Sequence, residues 1–188
     1  MFISALCFLL FWMNLVQAMP AWMGAPGQVS IGSLVPGAAY IEAKSAHRTG
    51  DVARHLAPSI PGNLGNLSIV PFSRISPPLF YINRNQLWQF QNQSAIFHVN
   101  VVNTTEPHYP TGEIPLQLML DTQRKGIANG NFRWRGTMLH YDLGGRTNGG
   151  VYYHCPTPEG AKLLLFLKGV PTPQGCFFFT LHGTSQDY

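Results

Sequence analysis

Charge is what this chain has least of. Asp, Glu, Lys and Arg make up 11% of its 188 residues, against roughly 25% in an average soluble domain. Twelve Lys and Arg against eight Asp and Glu leave a net charge of +4, and the longest basic run is Arg124-Lys125. A nucleic-acid footprint needs clustered Lys and Arg, so that class of partner is excluded. With 45% hydrophobic residues, the chain is not a disordered charged tail either. Sustained helical periodicity is also missing, and 19 Gly with 15 Pro favour turns and linkers over long helices. Only three cysteines occur, no Lys or Arg precedes Lys44, and no second apolar stretch of membrane length follows the first.

That first stretch opens the chain. Residues Phe2 to Val16 are almost unbroken apolar sequence, too short for an ordinary membrane span, and Val16-Gln17-Ala18 has the small-residue pattern of a cleavage site. Residues 1–18 are therefore expected to be a signal peptide, the alternative being an anchor that stays in place. The mature chain would start near Met19 and be secreted. Three sequons accord with that route, at Asn66, Asn92 and Asn103, none with Pro in the middle position. Removal of the leader takes Cys7 with it and leaves Cys155 and Cys176, an even pair in an oxidising compartment. Closing the loop between them would stabilise the fold by about 3 kcal/mol. One disulfide is expected; two buried free thiols are the alternative.

Two textures follow the leader. From Met19 to Ser76 the chain is rich in Pro, Gly, Ala and Ser and holds neither a 3.6 nor a 2 period for long, which reads as a largely irregular arm or a propeptide. Ala39 to Leu56 is a marginal short helix at most. From Pro77 onward, short runs rich in Val, Ile, Phe, Tyr and Trp recur between Gly, Pro, Asn and Asp, and residues 77–188 read as a β-domain. The expected strands are Leu79–Ile82, Gln86–Gln91, Ala95–Val102, Leu116–Leu120, Phe132–Arg135, Met138–Tyr141, Val151–Cys155, Lys162–Leu167 and Cys176–Leu181. Nine short strands and almost no helix predict an all-β antiparallel sandwich or barrel. Asn129-Gly130, Gly144-Gly145 and Asn148-Gly149-Gly150 supply the positive φ angles of tight connections. Pro107 to Pro115 is a loop or an edge.

Facing can be read within several strands. Phe97, Val99 and Val101 share an apolar face opposite Ile96, His98 and Asn100, and Phe132 and Trp134 alternate with Arg133 and Arg135. Lys162–Leu167 and Phe177–Phe179 are apolar on both faces, as central strands covered on both sides would be.

Catalytic constellations are scarce. A glycosidase needs two carboxylates across a sugar ring, and the best candidates are Asp142 with Asp121 or Glu113; Asp142 and Asp121 each end a strand, although turn-capping is the commoner use of such residues. The seven histidines, at 47, 55, 98, 108, 140, 154 and 182, have no close-spaced ligand signature; His98, His140, His154 and His182 lie in or beside strands, where polar outward positions are commoner than metal sites. No G-x-S-x-G elbow and no phosphate-cradling Gly-rich loop before a helix occur, and Cys155 is better used in the disulfide than as a nucleophile beside His154. No catalytic residue, metal or cofactor is expected. Aromatic stacking remains: Trp88, Trp134, Tyr141 and Tyr152 are candidate sugar-ring contacts, with core packing the competing use, and Tyr152 and Tyr153, being consecutive, face opposite ways.

The wording NQLWQFQNQSAIFHVNV, NGNFRWRGTMLHYDLGG, NGGVYYHCP and GCFFFTLHG resembles fungal secreted proteins similar to the cell wall protein PhiA. The likeness runs from Leu79 to Gly183 and leaves out 19–76. It implies an extracellular or wall-associated protein without known enzymatic residues. The expectation is thus a secreted, non-enzymatic β-domain whose partners are wall polysaccharide or wall proteins, with no nucleic acid and no membrane after leader removal. A small carbohydrate hydrolase and a secreted effector acting on another organism's protein are the alternatives.

Overall fold

The structure, a computed structural model, describes residues 37–45, 53–72, 77–92, 95–104, 112–157 and 160–184. The leader and the start of the arm lie outside the described residues, as do His47, His108, Glu106, Glu159 and Asp187. The described chain is all-β. It forms thirteen strands: β1 (Tyr40–Lys44), β2 (Arg54–Pro58), β3 (Gly65–Pro71), β4 (Leu79–Asn83), β5 (Gln86–Asn92), β6 (Ala95–Asn103), β7 (Leu116–Asp121), β8 (Asn131–Arg135), β9 (Met138–Leu143), β10 (Arg146–Thr147), β11 (Val151–Thr157), β12 (Gly160–Leu165) and β13 (Phe177–Thr184).

Nine of these fall where runs of β-branched and aromatic residues place them. The remaining four correct the sequence reading. Strands β1, β2 and β3 lie inside the segment expected to be irregular, and the described residues of the expected short helix, 39–45 and 53–56, are extended rather than helical, 46–52 lying outside the described residues. Their signal is weak because they are five to seven residues long and Pro58 and Pro71 end two of them. Tertiary pairing decides their conformation: β1 inserts between β13 and β2, which drives Ile41 and Leu56 fully out of water.

All pairings are antiparallel, and their order closes on itself. Strand β13 pairs β1, β1 pairs β2, β2 pairs β3, β3 pairs β7, β7 pairs β12, β12 pairs β11, and β11 returns to β13. Closure leaves these strands without free edges along the ring, the barrel solution to edge-strand exposure. A flap of β6, β5 and β4 extends from β7, and its outer strand is tied back by a bridge between Phe80 and Ala39 with both hydrogen bonds at 2.8 Å. The hairpin of β8 and β9, with β10, joins at β13 through His182 and Met138.

Every strand except β10 contributes to one main core, among them Leu67, Phe80, Leu118, Tyr152, Leu163 and Phe179. A second, smaller core of Tyr153, Cys155, Leu164 and Phe166 lies on the other side of β11 and β12. This is why Lys162–Leu167 is apolar on both faces: Leu163 and Leu165 serve the main core while Leu164 serves the small one. The analogous expectation for Phe177–Phe179 fails at one position, because Phe178 faces outward and is 37% exposed. Cys155 and Cys176 form a disulfide that continues the β11–β13 ladder one step beyond the His154–Phe177 pair.

Glycine is used as expected at Gly144-Gly145 and Gly149-Gly150, all with positive φ. Gly130 is different. A Cβ there would lie 1.7 Å from the Tyr141 hydroxyl oxygen, so closeness to a buried ring requires the glycine. The β4–β5 turn puts Arg84 and Asn85 at φ 49° and 64° without any glycine, the two-residue geometry that suits twisted hairpin strands.

Candidate functional site

Side chains alternate across a sheet, so each strand of the flap offers one row to the core and one to the outside. Phe80, Leu87, Val99, Val101 and Leu118 point inward to the main core. The outward rows are set by register. Tyr81 lies opposite Trp88, Trp88 opposite His98, and His98 opposite Asp121, one row crossing β4 to β7. A second row places Leu79 beside Phe90 and Phe90 beside Ile96, which is 43% exposed.

The first row is an aromatic strip. The rings of Tyr81 and Trp88 are nearly parallel, 11° apart in plane with centroids 6.4 Å apart, and Trp88 and His98 have centroids at 3.9 Å. All three are half-buried. Burial lowers the His98 pKa, Arg124 lowers it further, and Asp121 opposes both. The ring is therefore an uncharged plate at neutral pH. Asp121 closes the row as an ionised carboxylate, held down to about 2 by hydrogen bonds from Lys125 Nζ (2.9 Å) and the Gln123 amide (3.0 Å).

The four aromatics singled out from sequence divide. Trp88 stands at the centre of the strip. Trp134 is half-buried against the main core, its ring lying over Gly183. Tyr141 and Tyr152 are 1% and 0% exposed and are core residues, so neither can stack on a ligand. The reason is parity: Tyr141 alternates inward with Leu139 on β9, and Tyr152 packs on Phe179 and donates its hydroxyl to the Leu139 carbonyl at 3.3 Å. Tyr153 takes the opposite side, in the small core. Tyr81 and His98 were missed; the two-residue turn at Arg84-Asn85, which fixes Asn83 opposite Gln86, would have placed Tyr81 beside Trp88.

Carboxylate chemistry finds little support. Asp142 accepts a hydrogen bond from Arg133 Nε, with a longer one from Nη2 at 3.4 Å, and this pairing lowers its pKa despite partial burial. Asp121 is lowered as well, and Glu113 lies 3.8 Å from Arg146. A glycosidase acid must hold its proton near neutral pH. Both aspartates are instead shifted toward the ionised form. Among the described residues, no three His, Cys, Asp or Glu side chains are grouped to hold a metal ion. Asn103 and Asn92 are exposed at strand ends, while Asn66 is half-buried and its Oδ1 accepts a hydrogen bond from Gln117 Nε2 at 2.8 Å.

Histidine burial has a thermodynamic consequence. His55, His98, His140, His154 and His182 are all lowered from 6.5, desolvation being the largest cause in each. Below 6.5 the unfolded chain binds protons that the folded chain refuses, so stability is full above 6.5 and falls as pH drops through the folded-state values. The Tm should hold level from pH 8 to about 7 and decline as pH falls below about 6.5. A Tm that rises on acidification through that window would contradict the burial of these rings.

No family model, curated protein or solved structure matches the chain.

Proposed function

We propose that this is a secreted, non-enzymatic protein of a fungal cell wall that binds neutral wall polysaccharide on the outer face of β4, β5 and β6. The observation that carries the reading is the Tyr81–Trp88–His98 strip, three uncharged rings in one row on a face that the main core does not use. Flat aromatic surface that remains partly wet is the usual counterpart of the apolar face of a sugar ring. The paired Cys155 and Cys176 support passage through an oxidising compartment, as does the leader-like start of the sequence. The stretch that resembles PhiA-like proteins, Leu79 to Gly183, contains the whole strip. The paired carboxylates that a hydrolase would use are engaged by Lys125 and Arg133, which favours binding over cleavage.

Retention on insoluble chitin and β-glucan tests this. The purified mature protein should be held by at least one of them, and Trp88→Ala should weaken retention about tenfold, the equivalent of about 1.4 kcal/mol. Its Tm should change little, because Trp88 lies outside the main core. Absence of retention on both supports, together with no wall-associated fraction in cells, would refute the reading.

A further inference from the structure

Away from the aromatic strip, the outward side of β1 and β2 holds a cavity of about 210 Å³, lined by Tyr40, Glu42, His55, Phe72, Pro77 and Thr184. We propose that this cavity is a second binding site, taking a single neutral pyranose ring. Size comes first. Pockets for drug-sized ligands run from roughly 300 to 1,000 Å³, and this one suits a smaller molecule, one ring with its hydroxyls.

The wall chemistry narrows the class. Phe72, 50% exposed and edge-on to His55 at 6.2 Å between centroids, and Pro77 offer an apolar surface. Facing groups offer hydrogen bonds: the Glu42 carboxylate accepts, and the Thr184 hydroxyl, which donates to the Tyr40 carbonyl at 3.4 Å, can still accept. One apolar wall opposed by acceptors and donors matches a sugar ring, which has an apolar face and a rim of hydroxyls.

Charge excludes the main competitors. Glu42 has Lys44 Nζ at 4.0 Å, so its charge is already partly answered, which disfavours an organic cation. Arg54 borders the cavity, but its guanidinium carbon lies 5.9 Å from the ring centroid of Phe177, which packs on the main core, so no strong anion receptor is formed.

His55 supplies a ring at the cavity wall. It is 7% exposed, it lines the cavity, and its Nδ1 is buried without a hydrogen-bond partner. A neutral imidazole carries one donor and one acceptor. With the proton on Nε2, Nδ1 is left as a bare lone pair instead of a stranded N–H, and we assign that tautomer on this ground. The ring then carries its proton on Nε2. A bare Nδ1 also occurs at His98, His140 and His154, which do not line the cavity, so His55 enters the case as a lining ring that would report occupancy.

The ring could come from a free monosaccharide or from the end of a wall polysaccharide. Saturation-transfer NMR on the full mature protein would use D-glucose, D-mannose and N-acetyl-D-glucosamine, their methyl glycosides, and short oligomers, read together with the His55 ring-proton shifts. At least one of these probes should bind saturably in the millimolar range and move the His55 resonance. Equal binding by the methyl glycosides and oligomers would identify chain ends; binding by the free sugars alone would identify monosaccharide. Phe72→Ala, a change at an exposed position, should weaken binding about tenfold with an unaltered Tm. Glu42→Gln should also weaken it, and Trp88→Ala should leave it intact. The outcomes separate the two sites: loss of polysaccharide retention in Trp88→Ala bears on the strip alone. No saturable binding by any probe, or binding undiminished in both Phe72→Ala and Glu42→Gln, would overturn the proposal.

Discussion

Replacing Cys155 and Cys176 together by alanine is expected to lower stability by about 3 kcal/mol and Tm by roughly 10 °C. The bond spans a sequence separation of 21 and encloses β12 with the loop that follows it. Without it, the unfolded chain regains the freedom of that loop, and the native chain must hold β11 against β13 through four residue pairs and the small core alone. Tyr153, Leu164 and Phe166 belong to that core, so its loosening should spread to the β11–β12 hairpin. Thermal unfolding of the wild type with and without reductant, beside the double alanine variant, checks this. The reduced wild type and the variant should coincide; a variant as stable as the oxidised protein would show that the bond constrains nothing.

Gly126→Ala is expected to cost at least as much, about 3 kcal/mol or more, from two causes that add. The residue has φ +79°, where a side chain is strained, and a Cβ there would lie 2.3 Å from the Val101 carbonyl oxygen and 2.9 Å from Val102 Cγ1. Val101 resists retreat because it is buried in the core and paired with Leu118 of β7. The loop cannot retreat either: Ile127 donates to that same Val101 carbonyl at 2.9 Å, the Lys125 amide donates to Asn100 Oδ1 at 3.0 Å, and Asn100 Nδ2 donates to the Gln123 carbonyl at 2.9 Å. Gly144→Ala is the comparison, with φ +56° but nothing within 4 Å of the added carbon, and should cost only about 1 kcal/mol. Denaturant unfolding of both variants gives the difference. Equal losses would mean that the loop over Asn100 yields freely.

The β class and most strand positions were legible because alternation and turn residues are local properties. Phe97, Val99 and Val101 announce an inward face, and Phe132 with Trp134 another, whatever the neighbours turn out to be. Ile41 and Leu56 announce little, since each sits in a five-residue strand whose identity depends on partners far along the chain. The paired cysteines were legible from their count, with the leader expected to take Cys7 away. The candidate site was legible only in part. Trp88 stood out by type, but type does not tell a plate from a core residue, and Tyr141 and Tyr152, equally aromatic, are buried. What distinguishes them is parity relative to a closed ring of strands. The cavity around His55 was out of reach for the same reason: Glu42 and His55 become neighbours only when β1 lies beside β2.

The joining of β1 to β13 carries an implication for biogenesis. Tyr40 and Thr184 are paired, and the hydrogen bond between them spans 144 positions. A growing polypeptide therefore cannot seal the barrel until β13 has emerged, and contacts of such long sequence separation form slowly. Until then β1 would have bare backbone along one side, a surface that invites pairing with another copy. Sealing of the barrel thus waits on the synthesis of β13, whichever strands have paired before it.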